Sequence, residues 1–477
     1  MSRKSLLIAL SGLILAGAAG GAWCWRLAGE KQRRAGDFLP ATPNLSQLPE
    51  ALRARLVAAD ARARSRLGAS RGLGELSRLY YANGFLDEAS RCYRGLEQLD
   101  PSEPRWPHLH ATILAGYGEI EPALGLWHKV QELAPDYLPA RLRRGDCLFK
   151  ANRREEAAVA YEEVLQRERD NPYALLGLAR LDLEASRWDK ARQRLEQVVS
   201  KTNYTLGYDL IVSLYERMGL NQRANAIRAM AKASGAYRDT PDPWLDGLLD
   251  DCFDPYRLSL AAGTIARDGD PAAAIRLLER AVAIAPNDVS VRFQLGTLLV
   301  ARGQLGAAQE QLERCTALAP DFADGWANLS ALLAQQGQAT AADRTLAEGL
   351  KHCPQSPGLH LMLARNHRQA GRLEEAISEF QKSIALRPNE ADTYVELGNL
   401  YVSVGREADA LREMARALEA EPGNPTSLGI LAFHAITTGD EVEARRWLAR
   451  VRNQPRVQSE QVNRLLAAYQ KRFGRAP

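Results

Sequence analysis

The sequence predicts an all-α protein: a linear stack of helix pairs, preceded by one membrane-spanning helix. Three observations carry that expectation. A glycine followed five residues later by an alanine returns at a near-constant spacing of 34 residues. Most of these units close on a proline, which stops a helix before the next begins. And Ser5 to Trp25, SLLIALSGLILAGAAGGAWCW, is a run of 21 residues without a charge.

Length alone, 477 residues at ~150 per domain, would suggest about three independent cores. With 46% hydrophobic and 25% charged residues the chain is neither disordered, collagenous nor a polytopic membrane protein. Basic and acidic side chains number 62 and 58, a net charge of +4, so no global attraction to nucleic acid or acidic lipid follows. Only ten of the basic residues are lysines, and no block of like charge occurs. The six cysteines, Cys24, Cys92, Cys147, Cys252, Cys315 and Cys353, are scattered without a CxxC pair. They read as small buried hydrophobes.

At ~1.5 Å per residue, residues 5–25 span ~31 Å, close to the ~30 Å hydrocarbon thickness of a bilayer. Arg3 and Lys4 precede the run, and Trp23 and Trp25 stand where an interfacial aromatic belt falls. A retained anchor is the first reading. A cleaved export signal is the alternative, since Ala16-Gly17-Ala18 and Gly20-Gly21-Ala22 offer small residues at the needed spacing. Bulky Trp23 before Cys24 argues against a lipoprotein signal. The leading basic pair favours repeats on the periplasmic side, while Arg26, Lys31, Arg33 and Arg34 argue for the cytoplasmic one. Gly36 to Gln47, with Pro40 and Pro43, reads as a linker.

The alanines of the series are Ala89, Ala123, Ala157, Ala191, Ala224, Ala274, Ala308, Ala342, Ala376, Ala410 and Ala444. Five residues before each stand Gly84, Gly118, Asn152, Ser186, Gly219, Gly269, Gly303, Gly337, Gly371, Gly405 and Gly439. Glycine and asparagine are what a helix ending in a left-handed residue requires. The closing prolines are Pro101, Pro135, Pro286, Pro320, Pro354, Pro388 and Pro422; Arg169, Asn203, Ala236 and Arg456 replace them elsewhere, so those units are the less regular ones.

The register of a large apolar residue, Leu-Gly or Leu-Ala, Tyr, Ala, aromatic and Pro resembles the tetratricopeptide repeat (TPR) family, of bacterial type, over about residues 70–458. The unit from Asp392 supplies Tyr394, Leu397-Gly398, Tyr401, Gly405, Ala410, Ala417 and Pro422, and the first unit supplies Leu73, Leu76, Tyr80, Gly84, Ala89, Tyr93 and Pro101. The resemblance implies an α-solenoid, a right-handed superhelix of about eleven helix-turn-helix repeats. In it the small alanine lets paired helices approach, residues such as Tyr80 and Tyr93 fill the interhelix space, and stability comes from nearest-neighbour stacking. The 389 residues from 70 to 458 then form one quasi-linear stack instead of three globules.

Both ends require caps, because an open stack exposes its apolar face. Pro49 to Leu67 and Ser459 to Phe473 read as amphipathic capping helices, the second with Val462, Leu465, Leu466 and Tyr469 on one face. The expected organisation is an anchor or signal segment at 1–35, linker and cap at 36–69, a five-repeat lobe at 70–238, an insert at 239–254, a six-repeat lobe at 255–458 and a final cap at 459–477.

The insert, DTPDPWLDGLLDDCFD, makes one spacing 50 instead of 34. Six aspartates accompany Trp244 and Phe253, with no basic residue. The leading expectation is a loop whose Trp244 and Phe253 pack into the groove or onto neighbouring helices; a hinge between lobes, a partner contact and a cation loop are the others.

In the family the concave face is lined mainly by the first helix of each unit. Those positions here carry Arg71, Arg78, Arg105, His108, Arg143, Lys150 and Arg180 in the first lobe, against Glu75, Asp146 and Glu184. The second lobe offers Phe293, Val300, Leu361, Met362, Val395, Val402, Ile430, Phe433 and Ile436. The candidate partner is therefore a protein or peptide segment with an acidic and an apolar part. The Lys/Asn/Asn/Lys/Arg carboxylate clamp of co-chaperone TPR domains has no counterpart at Gly74, Arg78, Leu109 and Arg105, and only Asn328 and Asn399 approach the asparagine ladder of glycosyltransferase-associated solenoids.

No GxxxxGK[ST] or HExxH occurs, and the repeat uses almost every residue after the first 69 except the insert. The expectation is a non-enzyme without cofactor, metal, nucleic acid or small-molecule substrate. His108/His110 and His360/His367 have spacings that metal ligands could use, but read as core or rim histidines. A membrane-anchored scaffold, an exported soluble binding module and a cytoplasm-facing adaptor remain as classes.

Overall fold

The computed structural model describes residues 23, 25–46, 48–202, 204–234, 240–454 and 459–477. Apart from Trp23 and Trp25, the expected membrane segment 5–25 lies outside these residues, as does Cys24. Among the described residues no helix is long and apolar enough to cross a membrane.

The described residues contain eleven antiparallel helix pairs, and the chain divides into two compact units, Met1–Pro286 and Asn287–Pro477. The first unit holds six pairs: Ala69–Ala82 with Leu86–Leu99, Arg105–Gly116 with Ile120–Leu133, Leu138–Lys150 with Arg154–Arg167, Pro172–Glu184 with Trp188–Lys201, Thr205–Arg217 with Asn221–Ser234, and Pro255–Arg267 with Pro271–Ile284. The second holds five: Val289–Ala301 with Leu305–Leu318, Ala323–Gln335 with Ala339–His352, Pro357–Gln369 with Leu373–Leu386, Ala391–Ser403 with Glu407–Ala420, and Pro425–Thr438 with Glu441–Arg452.

Every turn within a pair is left-handed at the expected residue. Nine are glycines with φ between 72° and 96°; the other two are Asn152 at 63° and Ser186 at 56°. Five residues on, each alanine of the series is 0–1% exposed, so a Cβ is all the space that the paired helix leaves. The seven closing prolines each stand two residues after the last residue of a helix, from Leu99 before Pro101 to Ala420 before Pro422. Where the proline is missing, the helices nevertheless stop at Arg167 and Lys201, so it enforces an end that packing already sets.

Stacking between neighbours follows the same economy. Tyr93 is fully buried between repeats, its ring 6.3 Å from Trp106 and 6.5 Å from His110 of the next pair. Tyr161 is wedged between Gly145 of its own repeat and Gly177 of the next, where a methyl group on either glycine would run into the ring. Its hydroxyl donates to Asp146 at 2.6 Å. Cys92, Cys147, Cys252 and Cys315 are buried free thiols, and desolvation pushes Cys92 up to about 12 and Cys315 to about 11, which keeps both unreactive.

The caps are present, with one extension. Glu50–Ala63 buries Leu52, Leu56, Ala59 and Ala63 ahead of the first repeat. Residues 25–38, expected as basic flank and the start of a linker, are helical. Phe38 packs against Gly95 of the first repeat, Gln32 donates to the Arg64 carbonyl at 2.6 Å, and Arg66 lies 4.5 Å from the Trp25 ring. The linker is therefore confined to the stretch after Phe38. At the other end Ser459–Phe473 covers the last pair with Leu465 and Tyr469, and Val462 and Leu466 beside them. Bonds from Arg475 and Tyr469 hold the Glu441 carboxyl down at about 2, tying that helix to the last repeat.

Relieving the left-handed strain at a side-chain-bearing turn should stabilise the stack. Ser186→Gly is expected to add about 1 kcal/mol, and Gly177→Ala to remove about 1–3 kcal/mol by displacing the Tyr161 ring. Urea midpoints followed by circular dichroism test both; equal midpoints for Gly177→Ala and the parent would refute the wedge.

Candidate functional site

The insert is where sequence and structure meet most closely. Pro243 opens a one-turn helix, Pro243–Asp246, with Asp242 as its N-cap accepting from the Leu245 N–H at 3.3 Å. A 3-10 turn, Gly247–Asp251, follows and turns the second carboxylate back toward the repeats. Leu248, Asp251 and Cys252 are buried, and the segment lies on the face formed by the first helices of repeats one to three.

Asp242 is the centre of one contact cluster and has no exposed surface. Its carboxylate accepts from His108 Nε2 at 2.8 Å, Tyr137 Oη at 2.6 Å and Arg143 Nε at 2.9 Å. Trp244 stacks on Tyr137 at 3.5 Å and 9° and meets His108 edge-on at 5.4 Å. The Trp244 N–H donates to the Tyr137 hydroxyl at 3.1 Å. Burial alone would push the Asp242 carboxyl up; the bonds from His108 and Tyr137 and the charge of Arg143 hold it well below its ordinary 3.8. Burial and the Asp242 bond push the Tyr137 phenol the other way, up.

The second cluster surrounds Asp251. Arg55 of the capping helix donates to one carboxylate oxygen at 2.6 Å and Arg78 of the first repeat to the other at 2.9 Å. Asn83 holds the backbone: its Nδ2 donates to the Asp251 carbonyl at 2.9 Å, and its Oδ1 accepts from the Phe253 N–H at 2.7 Å. Arg55 also lies 5.8 Å from the Phe253 ring. The sixth repeat bonds to both the first repeat and the insert. Arg257 donates to the Tyr81 and Ala82 carbonyls, and Arg280 to those of Leu249, Asp250 and Cys252. These bonds explain why the division between the units falls after Pro286, one repeat beyond the insert.

Of the basic residues expected on this face, Arg78 and Arg143 are thus engaged by the insert, and His108 with them. Arg71 is exposed beside a cleft of about 500 Å³ that it shares with Arg78 and Trp106. Arg105 departs from the expectation: at the first turn of its helix it forks onto Glu103 at 2.7 Å and leans over Trp106. Arg180 lies 4.0 Å over the Phe149 ring and 3.9 Å from Asp146, with exposed Lys150 lining the same cleft. The histidine pairs do not converge. His108 turns to Asp242, while His110 meets Ser90 and Glu97; His360 binds Glu379 at 2.5 Å.

In the second unit Phe433 and Val402 are 54% and 55% exposed and, with Ile430, line a cleft of about 600 Å³. Phe293 instead meets Phe322 edge-on at 5.0 Å, and Met362 and Val395 are half-buried against their neighbours' cores. Ile436 is core. Residues that the sequence did not single out, Asn83, Tyr137, Arg55 and Arg280, also bond to the insert. Asn83 reads as a turn residue before Gly84 and Arg55 as cap surface, so only their place in space marks them.

The Asp242 cluster makes a signed prediction. Because its carboxyl is held below the ordinary range, its contribution is complete above pH 3.8 and is lost as the pH falls through the lowered value. Trp244 fluorescence should therefore report a docked insert at pH 4.5. Asp242→Asn, which removes the buried charge that His108, Tyr137 and Arg143 bond to, should cost about 3–5 kcal/mol; an unchanged melting curve would contradict it.

Comparison with known proteins supplies the family context. A profile described as tetratricopeptide repeat matches residues 150–203, 266–335 and 401–469, and one described as TPR repeat matches 364–405. The Arabidopsis thaliana Protein CTR9 homolog is 31% identical over 112 residues, 23% of this chain; the chain thus spans 10% of that relative's length. Among solved structures, MamA from Desulfovibrio magneticus RS-1 is 21% identical over 36% of this chain and 96% of its own, with a TM-score of 0.32. The protein pilF of Pseudomonas aeruginosa is 17% identical, covering 45% and 96%, at 0.36. YrrB, described as a TPR protein with an unusual peptide-binding site, is 17% identical, covering 37% and 91%, at 0.30. The chain carries tetratricopeptide repeats.

Proposed function

We propose that this chain is a non-catalytic scaffold that binds other proteins through the first-helix faces of its repeats. Residues 5–25 hold it at a membrane, with the repeats on the periplasmic side. One observation carries the binding function: the first unit already holds a peptide segment on that face, through two buried carboxylates, a stacked tryptophan and an asparagine bonded to backbone. Helix pairs that recognise a tethered peptide so closely have the geometry for recognising one on another chain. In the second unit the corresponding face is apolar, and Phe433 and Val402 remain largely exposed there. An apolar side chain or helix face of a partner would bury them. The membrane attachment rests on the uncharged run itself and the basic residues on both sides of it.

Crosslinking in intact cells followed by purification is expected to recover partner proteins. Phe433→Asp should reduce that recovery at least tenfold while leaving the helical signal unchanged, and undiminished recovery would remove the apolar face from the binding surface. Alkaline carbonate extraction addresses the anchor. The full chain should stay with the membrane pellet and a chain lacking residues 1–25 should appear in the supernatant; release of both would refute anchoring.

A further inference from the structure

The period of 34 resumes after the insert, so these residues form no part of a repeat unit. They nevertheless occupy a prepared surface. Its parts come from four separate elements: Arg55 from the cap, Arg78 and Asn83 from the first repeat, His108 from the second, Tyr137 and Arg143 from the third. Two kinds of recognition are combined. The Asn83 amide takes a carbonyl and an N–H two residues apart, a grip on backbone that reads no side chain. The carboxylate positions and the Tyr137 stack select sequence: an aspartate two residues before a tryptophan, and a second aspartate nine residues on.

We propose that this face is a binding site for acidic, aromatic-bearing segments of partner proteins, and that residues 240–253 occupy it in cis as a tethered competitor. The inference deepens the protein-binding reading above and rests on it. Charge complementarity fixes the partner's chemistry. The face presents three arginines and a histidine, and the cis segment answers them with two carboxylates. The surface also continues past the insert. Exposed Arg71 lines the open cleft of about 500 Å³ next to Arg78 and forms no ion pair among the described residues. The guanidinium-bearing side chains of Arg55 and Arg78 stay 35% and 41% exposed. An incoming acidic segment can therefore engage Arg71 first and exchange with Asp251 at the accessible end, before the buried Asp242 cluster opens. Because the cis segment is tethered, it acts at an effective concentration on the order of millimolar, so only segments that match both carboxylates and the aromatic displace it.

The test uses the full-length chain in mild detergent and a fluorescein-labelled synthetic peptide of residues 240–253 with serine in place of Cys252. In anisotropy titrations the triple variant D242N/W244A/D251N, whose own insert has lost its anchors, should bind the peptide at least tenfold more tightly than the parent chain. Adding R78E should abolish the gain, and a peptide with its aspartates changed to lysine should not bind. A triple variant that melts cooperatively yet takes up no peptide would overturn the proposal, as would equal binding of the lysine peptide. Should the triple variant fail to fold, Asp251→Asn alone, which touches only the accessible cluster, should still give a threefold or greater gain; no gain would overturn it. Sedimentation of the parent identifies the occupant: a concentration-dependent dimer abolished by R78E would replace the partner protein by a second copy. None of these readouts depends on Phe433, so loss of the second unit's binding face and loss of this site are separable.

Discussion

The close approach of two helices at a single small side chain is the contact on which everything else in this molecule depends. The alanine of each repeat is buried against its partner helix, and the left-handed residue five positions earlier sets the angle at which the chain returns. Neither device stabilises a repeat by itself. A helix pair has one apolar face covered by its own partner and another left open, which only the next pair can close. Tyr93 against Trp106 and Tyr161 between two glycines are such closures. Because each closure is local, the chain can tolerate an Asn or a Ser at a turn and the loss of a proline without losing register.

Charge determines where the insert settles. The nearly neutral composition conceals opposite local excesses: arginines on the first-helix face of the early repeats, aspartates in one short segment. An unpaired cationic face would be solvated and unremarkable, but the insert converts it into a buried network. Taking Asp242 out of water is costly, and four donors on its two oxygens compensate for that loss. Such a network defines position more than it adds stability, since its Coulombic gain is largely spent on desolvation.

Much of the fold was legible because the repeat states the same physical requirement eleven times. The left-handed turns, the buried alanines, the helix ends before prolines and the Ser459–Phe473 cap all lie where spacing and residue type put them. The site was legible in part. Arg78, Arg143 and His108 could be assigned to the first-helix face, and Trp244 and Phe253 to packing against the repeats, from periodicity and composition. What periodicity does not encode is pairing between distant segments. Arg105 sits at a helix start, where its neighbour Glu103 captures it before any groove ligand can. Asn83 carries the grammar of a turn, yet its amide meets a backbone 168 residues away. The helix at residues 25–38 was hidden because its contacts, Phe38 above all, are made with the first repeat and not along its own sequence.

The balance of costs bears on how firmly such a segment is held. Removing one member of a buried ionic cluster leaves a charge stranded, which is why single substitutions there are severe. Exchange is different. A second segment that brings its own carboxylate to His108, Tyr137 and Arg143 leaves no charge unpaired at the end of the process, and the desolvation already incurred by the face is common to both states. The free-energy difference between cis and trans occupancy then reduces to tether entropy and the quality of the aromatic stack. A buried charge network can thus be demanding about the chemistry of its occupant while remaining nearly indifferent to which chain supplies it. This favours a site that stays covered and specific until a matching segment arrives.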